Sequence, residues 1–477
     1  MTKYFTDLFI AGTWQPSSNG KRLPVRNPAT EEVIAHIAQA QIADCLAAVE
    51  AADHAADSWA AAAPRVRAEI LRQAWQIMHA EREQLARIIS AENGKSARDA
   101  LGEIDYAAEF FRWYSEEAVR IGGDYRLSPT GDKRILITRA PIGVSVLVTP
   151  WNFPAAMATR KIAPALAAGC TVILKPATET PLTAGAIIDV LDRAGVPAGV
   201  VNYVTPGSSG AAVSAMLHHP AVRKLSFTGS TEVGRILLRE SADQIVSPSM
   251  ELGGNAPFLV LQDADIADAV TGAMAAKMRN GGSACTAANR FYVHSSIADE
   301  FTEALAAAMS DTKFGPADDP ANELGALVSI QERDKVATLV DKAIAEGAVA
   351  AIGGYIPDRR GAFYPPTVLT GVAHDAPITE EEIFGPVAPI ITFDTEDDAV
   401  SWANSTIMGL VSYVYGSLAS AMRVAHRLES GMVAVNRGVV SDPAAPFGGV
   451  KQSGIGREGG FDGVGEYLEE KYIAVAM

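Results

Sequence analysis

At 477 residues the chain is too long for one ordinary core, and roughly 100–200 residues per domain implies two to four units. A composition that is 48% apolar and 20% charged excludes a disordered chain. The net charge of −16 disfavours nucleic acid and anionic membrane as partners, and no run of about 18 uninterrupted apolar residues marks a spanning helix.

The opening residues Met1-Thr2-Lys3-Tyr4-Phe5-Thr6-Asp7 lack a charged-then-apolar signal pattern. The three cysteines, Cys45, Cys170 and Cys285, are too few and too scattered for a disulfide framework or a metal site, and fit a reducing, cytoplasmic compartment. From Asp44 to about Arg120 the pattern is helical, with Val66, Ile70, Ile77, Met78, Leu85 and Ile88 on one face and Asn93-Gly94 as punctuation. After Gly122-Gly123, short apolar strands alternate with helices: Val144 to Thr149 then Ala155 to Ala168, and Thr171 to Lys175 then Thr183 to Ala194. Strands at Val200 to Val204 and Lys224 to Thr228 follow, the second leading into a helix from about Glu232. Such alternation predicts parallel βαβ units with ligands near the carboxyl ends of the strands. A second series starts near Phe258-Leu259-Val260-Leu261. It continues through helices at about Ile266–Arg279, Ile297–Ser310 and Gln331–Glu346 and strands at Ile390–Phe393, Leu410–Tyr415 and Met432–Val435. Tyr125 to Arg139 and Tyr467 to Val475 belong to neither series; extended pieces of this kind often pair with a neighbouring subunit, and loosely packed edge strands look the same.

Cys285 closes the glycine-rich run Asn280-Gly281-Gly282-Ser283-Ala284, downstream of Glu251-Leu252-Gly253-Gly254. A thiol on a turn of little bulk can approach an electrophile, and a carboxylate beside glycines can serve as its partner base. Taken alone, the thiol is equally a small buried hydrophobe. One literal dinucleotide fingerprint exists, Gly454-Ile455-Gly456-Arg457-Glu458-Gly459, but the residues before it read as loop, so it is taken as a decoy. A better cradle is Phe227-Thr228-Gly229-Ser230-Thr231-Glu232-Val233-Gly234, which follows a strand and opens a helix whose free amides can face a pyrophosphate. Lys175 ends its strand where a ribose or phosphate would lie.

Together these segments resemble the aldehyde dehydrogenase superfamily over nearly the whole chain. The matching motifs are Pro150-Trp151-Asn152-Phe153-Pro154, Lys175-Pro176-Ala177, Phe227-Thr228-Gly229-Ser230, Glu251-Leu252-Gly253-Gly254, Cys285, Glu381-Glu382-Ile383-Phe384-Gly385-Pro386, Pro446-Phe447-Gly448-Gly449 and Gly454-Ile455-Gly456-Arg457-Glu458. Within the superfamily the chain is similar to the succinate-semialdehyde dehydrogenases through Thr159-Arg160-Lys161, Met278-Arg279-Asn280 and Ala288-Asn289-Arg290. The resemblance implies an α/β fold of two Rossmann-like parallel-sheet domains plus a small β oligomerisation arm. The cofactor-binding domain is expected at residues 1–122 and 140–252, and the catalytic domain at 253–436. The arm is expected at 123–139 and 460–477, and a return segment lining the active site at 437–459.

The resemblance further implies that Cys285 attacks the aldehyde carbon while the Asn152 side-chain amide and the Cys285 backbone amide hold the oxyanion, and that Glu251 activates water to hydrolyse the thioester left by hydride transfer. Cofactor contacts are implied at Thr149, Trp151, Lys175, Thr178, Glu179, Gly229, Ser230, Gly234, Leu252, Glu382 and Phe384. Relatives that favour NAD often carry a glutamate three residues after the strand-end lysine. Here Thr178 stands there, with Glu179 next, which leans the expectation towards NADP over NAD. Arg160, Arg279 and Ser441 are implied to clasp the distal carboxylate of succinate semialdehyde, as guanidinium–carboxylate geometry allows. From the residues alone, Arg279 equally complements a helix C-terminus, and Arg160 equally pairs with a neighbouring acid. No metal is implied, and the expected assembly is a homodimer or homotetramer. Ser283 replaces the family's usual glutamine, which leaves room for a bulkier carboxylated aldehyde, and Ala287 removes any disulfide switch within the loop. The rivals are a CoA-acylating enzyme, against which Glu251 speaks, and a scaffold protein without turnover.

Overall fold

The computed structural model describes residues 3–477. The long helical stretch near the N-terminus is four helices: α1 (Ile42–Ala60), α2 (Pro64–Ala80), α3 (Arg82–Asn93) and α4 (Ala97–Glu117). Each break has a local cause. Pro64 opens α2, where a missing N–H costs nothing; Gly94, at φ 90°, ends α3 in the left-handed conformation. Ser96 then caps α4 by accepting from Asp99 N at 3.2 Å. These breaks divide the expected single apolar stripe. Val66 is 49% exposed, because α2 turns Ala68, Leu71, Ala74 and Met78 inward instead.

The first sheet runs in the order Thr13–Gln15, Leu8–Ile10, Val201–Tyr203, Val172–Lys175, Val144–Val148, Val222–Thr228, Ser247–Glu251, Gly454–Ile455. Its five inner strands are parallel, and antiparallel pairs close both edges. Helices α5 (Pro154–Ala168), α6 (Pro181–Arg193), α7 (Ser209–Leu217) and α8 (Thr231–Ala242) make the connections. From Val144–Val148 the chain first builds outward in one direction and then returns to add Val222–Thr228 on the other side. A crevice is therefore left between the carboxyl ends of these two strands, where ligands of open α/β sheets bind. Every residue of α5 is buried, which its alanine-rich sequence permits.

The second sheet runs Val349–Ile352, Thr367–Thr370, Val387–Phe393, Ala288–His294, Ala256–Val260, Val411–Tyr415, Met432–Val435, parallel throughout except at its first pair. Helix α9 (Ile266–Met278) leads from its central strand to the Cys285 loop. The carboxyl ends of the first sheet face the amino ends of the second. Gly254, between them, comes so close to Cys285 O that a Cβ would lie 2.4 Å from it. The two extended segments left unassigned by the sequence pair with each other: Leu468–Ala476 runs antiparallel to Lys133–Pro141 along its whole length, with Asp124–Leu127 on the far side. Among the described residues no helix is long and apolar enough to cross a membrane.

Candidate active site

Asn152 sits just beyond the strand Val144–Val148, in the turn that enters α5. Thr149 extends that strand, its N–H donating to Lys175 O at 3.2 Å. Asn152 is 4% exposed, and its amide Nδ2 donates to Ser283 O at 3.2 Å, leaving the second amide hydrogen unengaged beside the cysteine loop. That loop follows α9 through three consecutive positive-φ residues, Asn280 (53°), Gly281 (59°) and Gly282 (74°). Gly282 is required twice over, since a Cβ there would also lie 2.2 Å from Gly385 O. Asn280 tolerates the left-handed conformation and uses its side chain to bind Asn152 O and Ser283 O, each at 2.8 Å. Cys285 emerges half-buried from this tight turn. Burial pushes its thiol up to about 12, with Arg160 opposing the shift and Glu251 adding to it.

Glu251 ends the strand Ser247–Glu251, whose last residues pair with Gly454 and Ile455. It is 3% exposed and neither carboxylate oxygen has a hydrogen-bond partner. Burial first, and the nearby Glu458 second, hold its pKa well above the ordinary carboxylate range. Glu458 has the opposite fate. Burial would raise it, but buried ion pairs with Arg160 and Lys161 keep it below its usual value. The glycine run Gly454–Gly459 is thus an edge strand and turn that delivers Glu458 to the site, with no helix opening at a phosphate cradle. Glu458 and Lys161 lie in segments that match the family, but neither had a role assigned from the sequence alone. A lysine beside Arg160 in an otherwise apolar helix was the available signal.

Trp151, Asn152, Gly229, Ser230, Leu252, Cys285, Glu382 and Phe384 line one cavity of about 180 Å³, together with Met157, Thr228, Glu332 and Lys335. A thiol and a side-chain amide thus meet in a helix-N-terminal cleft, with the unpartnered Glu251 carboxyl near enough to act on the thiol. The Aldehyde dehydrogenase family matches residues 14–473. The chain belongs to that family. It is 51% identical to a succinate-semialdehyde dehydrogenase of Paenarthrobacter nicotinovorans, over 93% of this chain and 99% of that protein. It is 44% identical to a glutarate-semialdehyde dehydrogenase of Pseudomonas putida KT2440, over 98% and 97% of the two chains. The crystal structure of an Escherichia coli NADP-dependent enzyme superposes with a TM-score of 0.98 at 44% identity, covering 99% and 98%.

In this aldehyde dehydrogenase the features suited to a nicotinamide coenzyme lie around the switch-point crevice. Ser230 caps α8, accepting from Val233 N at 3.4 Å, so the positive end of α8 opens into the cavity. Gly234 makes room for Leu252, which a Cβ would meet at 2.5 Å. Glu382 accepts from Gly254 N at 3.1 Å, and burial raises it to about 7. Phe384, at φ 58°, crosses the Trp151 ring at 5.3 Å and 89°. Its carbonyl accepts from Ser283 Oγ at 3.2 Å, so the hydroxyl that replaces the usual glutamine ties the cysteine loop to the coenzyme side. Lys175 is buried at its strand end, whereas Thr178 and Glu179 are exposed just beyond it. These features form a dipole end, a ring platform and a carboxylate of the kinds a dinucleotide needs.

The arginines of this aldehyde dehydrogenase differ in how they are held. Arg160 is 1% exposed, ion-paired to Glu458 and stacked on the Phe447 ring at 4.3 Å. Arg279 is half-buried, lies 5.1 Å over the Phe153 ring, and among the described residues has no ion-pair partner. Ser441 is half-buried in the irregular stretch before Phe447. A further residue escaped the sequence reading: Tyr106 of α4, whose buried hydroxyl has no hydrogen-bond partner and feels both arginines.

Proposed function

We propose that this chain oxidises succinate semialdehyde to succinate, with NADP favoured over NAD as the hydride acceptor. The observation that carries this reading is that Cys285 and Asn152 line one cavity while the unpartnered Glu251 carboxyl and the unpaired Arg279 guanidinium both act on the Cys285 thiol. Cys285 Sγ, its proton released to solvent through the open cavity, attacks the aldehyde carbon. The second hydrogen of Asn152 Nδ2 and the Cys285 N–H receive the developing oxyanion, a donor arrangement worth about 3–4 kcal/mol per donor. When bound, the nicotinamide supplies the hydride acceptor that converts the cysteine adduct to a thioester. Glu251 then takes a proton from water, which adds to the thioester carbon and releases the acid and the thiol. Trp151, Phe384 and Glu382 hold the ring and its ribose, Thr149, Lys175, Thr178 and Glu179 the adenosine side, and Gly229, Ser230, Gly234 and Leu252 the pyrophosphate.

The names of the relatives support a carboxylated semialdehyde as the substrate class, and Arg279, Arg160 and Ser441 are its carboxylate receptors in this reading. Glutarate semialdehyde, one methylene longer, is the second candidate, because the similar Pseudomonas putida protein bears that name. The division into a cofactor-binding unit (1–122 and 140–252), a catalytic unit (253–436) and a return segment (437–459) belongs to the same proposal, as does a cytoplasmic setting. So does assembly into a dimer or tetramer through the three-stranded arm, whose Tyr125, Leu127, Tyr472 and Val475 are exposed.

Steady-state kinetics on succinate semialdehyde, glutarate semialdehyde and butanal, each with NADP and NAD, test the reading. The expected result is a kcat/KM for a carboxylated aldehyde at least tenfold above that for butanal, with no acyl-CoA formed when CoA is present. Equal efficiency on butanal would discard the carboxylate receptors, and acyl-CoA formation would discard hydrolysis.

A further inference from the structure

The turn that carries Asn152 is held by two residues far from the reacting atoms. Lys95, just before α4, and Glu103, within it, form an ion pair at 2.5 Å with side chains 2% and 0% exposed. Lys95 Nζ also donates to Asn152 O at 2.7 Å and rests 4.3 Å over the Phe153 ring. Glu103 uses its other oxygen to accept from Ala155 N at 2.8 Å and Ala156 N at 3.3 Å.

Those two amides are orphans of the first turn of α5. Phe153 occupies the N-cap and offers no side-chain acceptor, so a carboxylate from another helix does the capping. The Asn152 carbonyl meanwhile receives two donors, Lys95 Nζ and Asn280 Nδ2. The pair thus grips the turn on both sides of Asn152, its carbonyl on one side and the helix it enters on the other. Asn93 holds the preceding residue, its Nδ2 donating to Trp151 O at 2.9 Å. Stability alone is a poor reason for a buried ion pair, since well-packed apolar side chains of similar volume often do as well. Fixing a donor to within a fraction of an ångström is a better one, because a misplacement of about 1 Å can cost about 100-fold in rate.

We propose that Lys95 and Glu103 are positioning residues for the oxyanion amide, setting the Asn152 side chain by clamping its backbone. This rests on the oxyanion role proposed for Asn152, and a double-mutant cycle separates the two. The readout is the pre-steady-state formation of reduced coenzyme at saturating succinate semialdehyde, with coenzyme affinity and melting temperature measured alongside. Asn152→Ala should slow this phase by about 100- to 1,000-fold. Lys95→Met should slow it by about 10- to 100-fold while aldehyde KM and coenzyme Kd stay within about twofold. The double variant should match Asn152→Ala alone within about twofold, because the clamp acts only through that amide. Losses that multiply, or a Lys95→Met enzyme at wild-type rate, would overturn the clamp. Asn152→Ala at wild-type rate would instead overturn the oxyanion role itself. Since Lys95→Met leaves Glu103 buried without its cation and can unfold the chain, the same cycle is run with Glu103→Gln, which keeps an oxygen for the α5 amides. It carries the same two criteria.

Discussion

Replacing Arg279 by leucine isolates the guanidinium proposed to read the substrate's tail. The magnitude follows from its surroundings. It is half-buried over Phe153 and lacks an ion-pair partner among the described residues, Asp99 acting on it only at longer range, so a substrate carboxylate would be its first direct ion-pair partner. Exposed pairs contribute about 0–1 kcal/mol, and breaking a buried one costs about 3–5. A half-buried, charge-assisted contact lies between, at about 2–3 kcal/mol. That converts to a fall of roughly 30- to 140-fold in kcat/KM for succinate semialdehyde. Butanal, which has no carboxylate, should lose less than about threefold, the residue of disturbed packing against Phe153. The assay is initial-rate formation of reduced coenzyme with both aldehydes, and melting curves should move only slightly, since a cation at the end of α9 contributes about 0.3–1 kcal/mol. Equal losses on both aldehydes would mean that Arg279 supports the loop rather than the tail, and no loss on either would remove it from the site. Arg160 is a less clean probe, because its removal also strips Glu458 of a partner.

With the Cys285 thiol pushed up to about 12, alkylation of the coenzyme-free protein by iodoacetamide should accelerate about tenfold per pH unit from pH 7 to 9, and a plateau in that range would contradict the buried-thiol environment. Glu251→Gln should preserve one rapid turnover of reduced coenzyme and slow thioester hydrolysis by about 100- to 10,000-fold, seen as a burst without a steady state. Because Glu251 is raised, its basic form exists only above that raised value, so hydrolysis should fall as pH drops through it; a profile flat down to pH 5 would refute the assignment. Tyr106→Phe removes a buried hydroxyl without a partner, so it should leave melting unchanged or raised while lowering kcat/KM for succinate semialdehyde about tenfold; a lowered melting temperature with unchanged kinetics would make the hydroxyl purely structural.

The middle of the first sheet was legible because Val144–Val148 and Val172–Lys175 are nearly continuous apolar runs bounded by glycine and proline, and Pro154 and Ser230 announce helices; the inner strand Ser247–Glu251, with one apolar side chain besides its proline, was not. Nor was the strand Ala288–His294, because two polar residues, Asn289 and Arg290, follow its first alanine. Asn289 and Arg290 are satisfied there by distant partners, Asn255 at 2.8 Å from each side chain, Glu381 O and Ile383 N for Asn289, and Trp402 O and Ala403 O for Arg290, which no local pattern foretells. The arm was legible as extended chain, but its pairing was not. Register between Lys133–Pro141 and Leu468–Ala476 is a long-range property that periodicity does not encode. At the site, Cys285, Glu251 and Asn152 were found through motifs. Glu458 was hidden in a glycine run that mimics a dinucleotide fingerprint, 297 residues from the lysine it binds.

That hidden residue explains how two neighbouring buried carboxyls can differ. Glu458 is neutralised by Arg160 and Lys161, so its charged form is the stable one. Glu251 receives no hydrogen bond and sits beside a committed negative charge, so its neutral form is favoured. A carboxyl held above its ordinary range is a stronger base and so better suited to take a proton from water. Were Glu251 the ion-paired member, it would be a fixed anion and a weaker base towards water. The arrangement keeps the permanent charge on Glu458 and leaves Glu251, which acts on the Cys285 thiol, as the carboxyl free to exchange a proton in the proposed thioester hydrolysis.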